Sequence, residues 1–68
     1  VSDKMMEMFV RVVKQGEEAV LITMDDELKV WIPHSLIGDN SDITADSEDD
    51  DEGILEIPTW KAVEARLL

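Results

Sequence analysis

The sequence predicts an α+β domain: a small, curved antiparallel sheet in the order β-β-β-loop-β, with one C-terminal helix. Three observations predict it. Short runs with alternating apolar residues follow one another closely between residues 5 and 32, as in a meander. A long polar segment then separates them from a last apolar run. Finally, Trp60, Val63 and Leu67 recur at the i, i+3, i+7 spacing of one helical face. The 68 residues make a single domain, 1–68. A chain this short buries a smaller fraction of its surface than a large one, so its core is marginal.

The first strand is expected over residues 5–14. Met6, Met8, Val10 and Val12 fall on one face, and Glu7, Phe9, Arg11 and Val13 on the other. Branching at Cβ favours the pleated backbone at Val10, Val12 and Val13. Gln15-Gly16 is expected to turn the chain, with Gly16 supplying a positive φ. A second strand is expected over 19–24, with Val20, Ile22 and Met24 on one side, and Asp25-Asp26 as the hairpin turn after it. A third follows over 28–32, alternating Leu28, Val30 and Ile32 against Lys29 and Trp31. Pro33 should end it, since proline cannot donate to a ladder.

His34, Ser35, Leu36 and Ile37 suggest a short helical turn. Residues 38–53 hold clustered Asp, Ser and Asn, with only Ile43 and Ala45 for burial, and read as a long acidic segment that is either a mobile loop or a partly disordered excursion. A short fourth strand is expected over 54–57, and a helix over 60–68 with Thr59 as N-cap and Arg66 suited to its C-terminal end. The helix should lie across a sheet curved toward a partial barrel. Trp60 should join the core, and Trp31 either joins it or sits on the outer sheet face.

Charge is the strongest compositional signal. The net charge is −11, which disfavours nucleic acid and anionic membranes as partners and favours basic surfaces. It is also unevenly placed: between Val30 and Trp60 there are nine acids and no lysine or arginine, whereas the rest of the chain has eight acids against six bases. Acids also stand at the two expected hairpin turns, namely Glu17, Glu18, Asp25, Asp26 and Glu27.

Catalytic readings find little support in these residues. There is no cysteine and one histidine. Ser35 beside His34 does not offer the geometry of an activated nucleophile, and His34 reads as a solvent-facing residue after a strand. Paired carboxylates need a pocket that raises one pKa, and the run from Glu48 to Glu52 has no apolar neighbours to provide it. Gly16, Gly38 and Gly53 are isolated and form no phosphate-cradling loop. An EF-hand loop can be aligned from Glu48, with Asp50, Glu52 and Gly53 at positions three, five and six. It fails at the twelfth position, where Thr59 stands in place of a bidentate Glu, so no metal site and no cofactor is expected. A non-enzymatic, binding role follows.

No run approaches the length of a membrane span, and residues 1–14 lack the basic-then-apolar order of a signal peptide. Val1 fits either a trimmed tag or a GTG start codon, and the second would point to a bacterial or viral source. Together with the absence of cysteine, this suggests the cytoplasm of a bacterial host.

The run Val30-Trp31-Ile32-Pro33-His34-Ser35-Leu36-Ile37, followed by Leu55-Glu56-Ile57-Pro58-Thr59-Trp60, resembles small acidic proteins of phages and prophages that carry V-W-I-P-x-S-x-I, an acidic spacer and I-P-x-W. The likeness covers about residues 19–68 and implies a shared β-plus-helix fold. By size and charge the chain is also similar to anti-CRISPR proteins that mimic DNA. That likeness implies a basic nucleic-acid-binding partner, such as a Cas effector subunit with a PAM-reading or DNA-loading surface.

A duplex carries about one negative charge per 1.7 Å of axis, and a scaffold with closely spaced carboxylates can compete for the same Lys/Arg groove. The residues expected to do so are Asp46, Glu48, Asp49, Asp50, Asp51 and Glu52, with Asp25, Asp26 and Glu27 as a second patch. The alternative is a protein-protein interaction or homodimerisation module. It would use an apolar sheet face with Phe9 and Trp31, and the acids would only solubilise.

Overall fold

A computed structural model describes residues 4–67; Val1, the subject of the start-codon expectation, and Leu68, the expected helix end, lie outside the described residues. The elements are β1 (Met5–Gln15), β2 (Ala19–Thr23), β3 (Lys29–Pro33), a 3₁₀ turn (His34–Leu36), β4 (Glu52–Pro58) and α1 (Thr59–Glu64). The sheet is open and antiparallel, in the order β3-β2-β1-β4. This is the predicted α+β architecture. Among the described residues no helix is long and apolar enough to cross a membrane.

The long strand β1 serves two neighbours. Its first half pairs with β4, from Met5 opposite Pro58 to Arg11 opposite Glu52, and its second half pairs with β2. Alternation places Met8, Val10, Val12, Val20, Ile22, Ile32, Leu55 and Ile57 on one buried face. Lost transfer and cavity terms make a truncation in such a core cost about 2–5 kcal/mol.

A bulge at Val13 interrupts the β1–β2 register, which steps from Val12–Ile22 to Lys14–Leu21. One extra residue reverses the alternation beyond it. Lys14 therefore faces outward, and Gln15 turns to the core side opposite the fully buried Val20. Without the bulge Gln15 would point to solvent.

Several expectations need correction. No glycine has a positive φ. Gly16 is required by crowding instead: a Cβ there would lie 2.8 Å from the Ala19 carbonyl oxygen and 3.1 Å from Cζ3 of Trp31. β2 stops at Thr23, so Met24 does not continue the inner face with Val20 and Ile22 but is exposed in the turn, as is Leu28 on its far side. Trp60 does not join the core but lies half-exposed at 50%, whereas Trp31, 48% exposed, takes the outer-face alternative.

Residues 38–51 are tied down rather than loose. The Gly38 N–H donates to the Glu56 carbonyl, and the N–H groups of Asp42 and Ile43 donate to that of Ile54. This closes the outer edge of β4. Further on, Asp50 N–H donates to the Val12 carbonyl and Val12 N–H to that of Asp51. Ile43 is only 1% exposed and completes the core that the sheet alone leaves uncovered.

The helix is shorter than expected and turned differently. Pro58 occupies the N-cap position, and Thr59 is the first helical residue, its N–H donating to the Lys4 carbonyl. Ala62 is the buried residue of α1, while Trp60 and Val63 face away from the core. Arg66 adopts φ 62° just past the end. Arg66 N–H then donates to the Val63 carbonyl and Leu67 N–H to that of Ala62, a Schellman closure that returns Leu67 to the core.

Candidate functional site

The β2–β3 turn gets its acids from local geometry. Thr23 is 1% exposed; its Oγ1 donates to the Leu28 carbonyl and accepts from Asp26 N–H. Asp26 has φ 68°, a left-handed conformation that Asp tolerates better than most residues. Oδ1 of Asp25 accepts from the N–H groups of Glu27 (3.0 Å) and Leu28 (3.1 Å), and these donors hold its carboxyl below the ordinary value.

The acidic loop uses the same chemistry. Oδ1 of Asp49 accepts from the Gln15 N–H, and Oδ2 of Asp51 from the Glu48 N–H. Asp50 stands at φ 71° where the chain enters β4. Among the described residues, the carboxylates of Asp46, Glu48, Glu52 and Glu27 make no hydrogen bond or ion pair within the chain. The sequence marks all nine acids alike. The structure separates those that cap their own loops from those left for solvent or a partner.

Arg11 brings the two predicted patches together. On the outer sheet face its guanidinium pairs with Asp26 of the β2–β3 turn and, at 3.2 Å, with Oδ1 of Asp50 of the loop. Its register partner across the β1–β4 ladder is Glu52. Two carboxylates, one from the turn and one from the loop, thus hold one cation, and Glu52 is its backbone neighbour in the ladder. Asp46 lies elsewhere, in the tight turn where Thr44 N–H donates to Ser47 Oγ and Asp46 N–H to Thr44 Oγ1.

Gln15 was not anticipated as an anchor. Its Nε2 donates to the carbonyls of Thr44 (3.2 Å) and Ser47 (2.8 Å), and its Oε1 lies 2.6 Å from Nε2 of His34. With the amide nitrogen committed to two carbonyls, Oε1 is an acceptor, so His34 donates from Nε2. His34 is thus half-buried and bonded, not the solvent-facing residue expected. The bulge at Val13 that creates this contact carries no sequence signal, because Val12 and Val13 are alike.

The outer sheet face carries exposed apolar groups. Phe9 is 57% exposed opposite Ile54, and Trp31 stands opposite Leu21. A shallow groove lined by Met24, Asp25, Leu28, Arg66 and Leu67 runs between the β2–β3 turn and the helix end. Among the described residues no group of three or more His, Asp or Glu side chains is arranged to hold a metal ion.

No family model matches the chain, and neither a curated protein nor a solved structure matches it.

Proposed function

We propose that this protein is a non-enzymatic inhibitor of the anti-CRISPR kind. It presents carboxylates to the basic nucleic-acid-binding site of a defence protein, such as a Cas effector subunit, in the cytoplasm of a bacterial host. The supporting observation is the convergence on Arg11 of Asp26 and Asp50, which joins the turn and the loop into one negative surface. Asp46, Glu48, Glu52 and Glu27 then accept charge-assisted hydrogen bonds from partner Arg and Lys side chains. The net charge of −11 steers the encounter and is screened by salt.

The test uses a bacterium with active CRISPR interference against a plasmid. Expression of the protein should restore plasmid transformation, and the joint variant Asp46→Asn, Glu48→Gln, Glu52→Gln should lose that effect while folding normally. Among the described residues these three side chains have no partner, so their replacement spares the loop. Protection by the variant equal to that of the wild type would overturn the proposal, as would no protection by either across systems.

One observation favours a second reading, a docking or dimerisation module: the exposure of Phe9 and Trp31 on the same sheet face. Binding of that kind would change little between low and high salt, whereas carboxylate recognition weakens steeply.

A further inference from the structure

The two edges of the sheet differ. The outer side of β4 is already occupied, because the carbonyls of Ile54 and Glu56 accept from Gly38, Asp42 and Ile43. β3 has β2 on one side only. The phase of its ladder is fixed by His34 N–H donating to the Glu18 carbonyl, which continues the β2–β3 register by one pair. In an antiparallel ladder bonded and non-bonded pairs alternate. Val20–Ile32 and Ile22–Val30 are therefore the bonded pairs. Lys29 and Trp31 direct both N–H and C=O away from the sheet, and Pro33 directs only its C=O. Among the described residues nothing bonds to these groups from the outer side.

We propose that β3 accepts an extended basic-and-apolar segment of a partner protein as a further strand. Backbone pairing at Lys29 and Trp31 supplies the affinity common to strand addition. Pro33 stops the ladder and so fixes the register. Alternating side chains of the added strand meet two environments. Those on the core side lie beside the half-buried Val30, which suits apolar groups. Those on the outer side lie beside the half-exposed indole of Trp31, which suits a cation. Acids bracket the edge at both ends, with Asp25, Asp26 and Glu27 before β3 and Glu17 and Glu18 opposite its C-terminal end. Lys29 is the one cation on the strand, and its Nζ is drawn to the Asp26 carbonyl. A second copy of the chain is the poorer occupant, since pairing two edges would bring together two bodies of charge −11.

This inference does not require the acidic loop to be the recognised surface, and one experiment separates them. The isotope-labelled protein is titrated with a short blocked peptide of alternating lysine and valine, and amide exchange is read residue by residue. The amides of Lys29 and Trp31 should exchange about tenfold more slowly on binding, with a matching peptide of alternating glutamate and valine inert. Shifts confined to residues 46–52 would overturn the strand-addition proposal while leaving recognition through the loop standing. Slowing at Trp31 that grows with protein concentration, without peptide, would also overturn it, because the occupant would then be a second copy. Trp31→Pro, which removes an outward N–H that the sheet does not use, should abolish the peptide effect, and retention of the effect would count against the assignment.

Discussion

Arg11 and Asp50, separated by thirty-nine positions in the chain, meet at 3.2 Å between Nη1 and Oδ1. The other terminal nitrogen of the same guanidinium meets Asp26. The contact spans the outer sheet face and fixes where two acidic segments stand relative to each other. Both carboxylates are well exposed, so its value lies in placement more than in stability.

Arg11→Gln should therefore cost little globally, about 1 kcal/mol or less in chemical denaturation. Its local effect should be larger, with faster amide exchange at Asp26 and Asp50 while the core amides of Val10 and Ile22 stay protected. Added salt should narrow the gap between variant and wild type, because screening weakens exposed pairs. A loss of several kcal/mol would show that the guanidinium packs into the fold as well as pairing.

Gln15→Ala removes more. Three hydrogen bonds to Thr44, Ser47 and His34 disappear together, and the loop carbonyls lose their donor. The expected cost is about 1–3 kcal/mol, set by the part-buried partners left unsatisfied. Residues 44–51 should gain exchange throughout. Gln15→Glu is a sharper probe, because its carboxylate would face two carbonyl oxygens and should be at least as damaging as alanine.

The strands were legible in the sequence because period-two alternation is a direct image of a half-buried sheet, as at Met8, Val10 and Val12. What escaped detection was order that depends on distant partners. Ile43 and Ala45 stand in a polar stretch, and nothing local says that the sheet leaves a space for the first and not for the second. Glu52 and Gly53 read as loop, yet pairing with Arg11 and Val10 extends β4 back to include them. The helix face differs from the one that the i, i+3, i+7 spacing predicts because Leu67 reaches the core through the left-handed Arg66, not by continuing the helix from Trp60. Among the candidate acids, nothing local distinguishes a capping carboxylate such as Asp25 or Asp51 from an unpartnered one such as Glu48.

Ile43 gives the stability counterpart. Ile43→Ala should cost about 2–5 kcal/mol, the range for a buried aliphatic truncation. In a domain this small such a loss is a large share of total stability. Ala45→Ser, two residues away and exposed, should be close to neutral. Equal, small effects at both positions in thermal denaturation would contradict a loop packed into the core.

Asp25 supplies a prediction with a definite sign in pH. The N–H groups of Glu27 and Leu28 hold its carboxyl below the ordinary value of 3.8 in the folded protein. A depressed carboxyl contributes stability that is fully present above the unfolded value and is lost as pH falls through the folded one. Lowering the pH also relieves self-repulsion in a chain this acidic, which acts in the opposite direction and masks the contribution in the wild type alone. The comparison with Asp25→Ala cancels most of that shared background. The wild type should be the more stable of the two at neutral pH, and the difference should shrink once the pH drops below 3.8. A difference that stayed constant across that window would mean the turn is held by the shape of the Asp25 side chain and not by its charge.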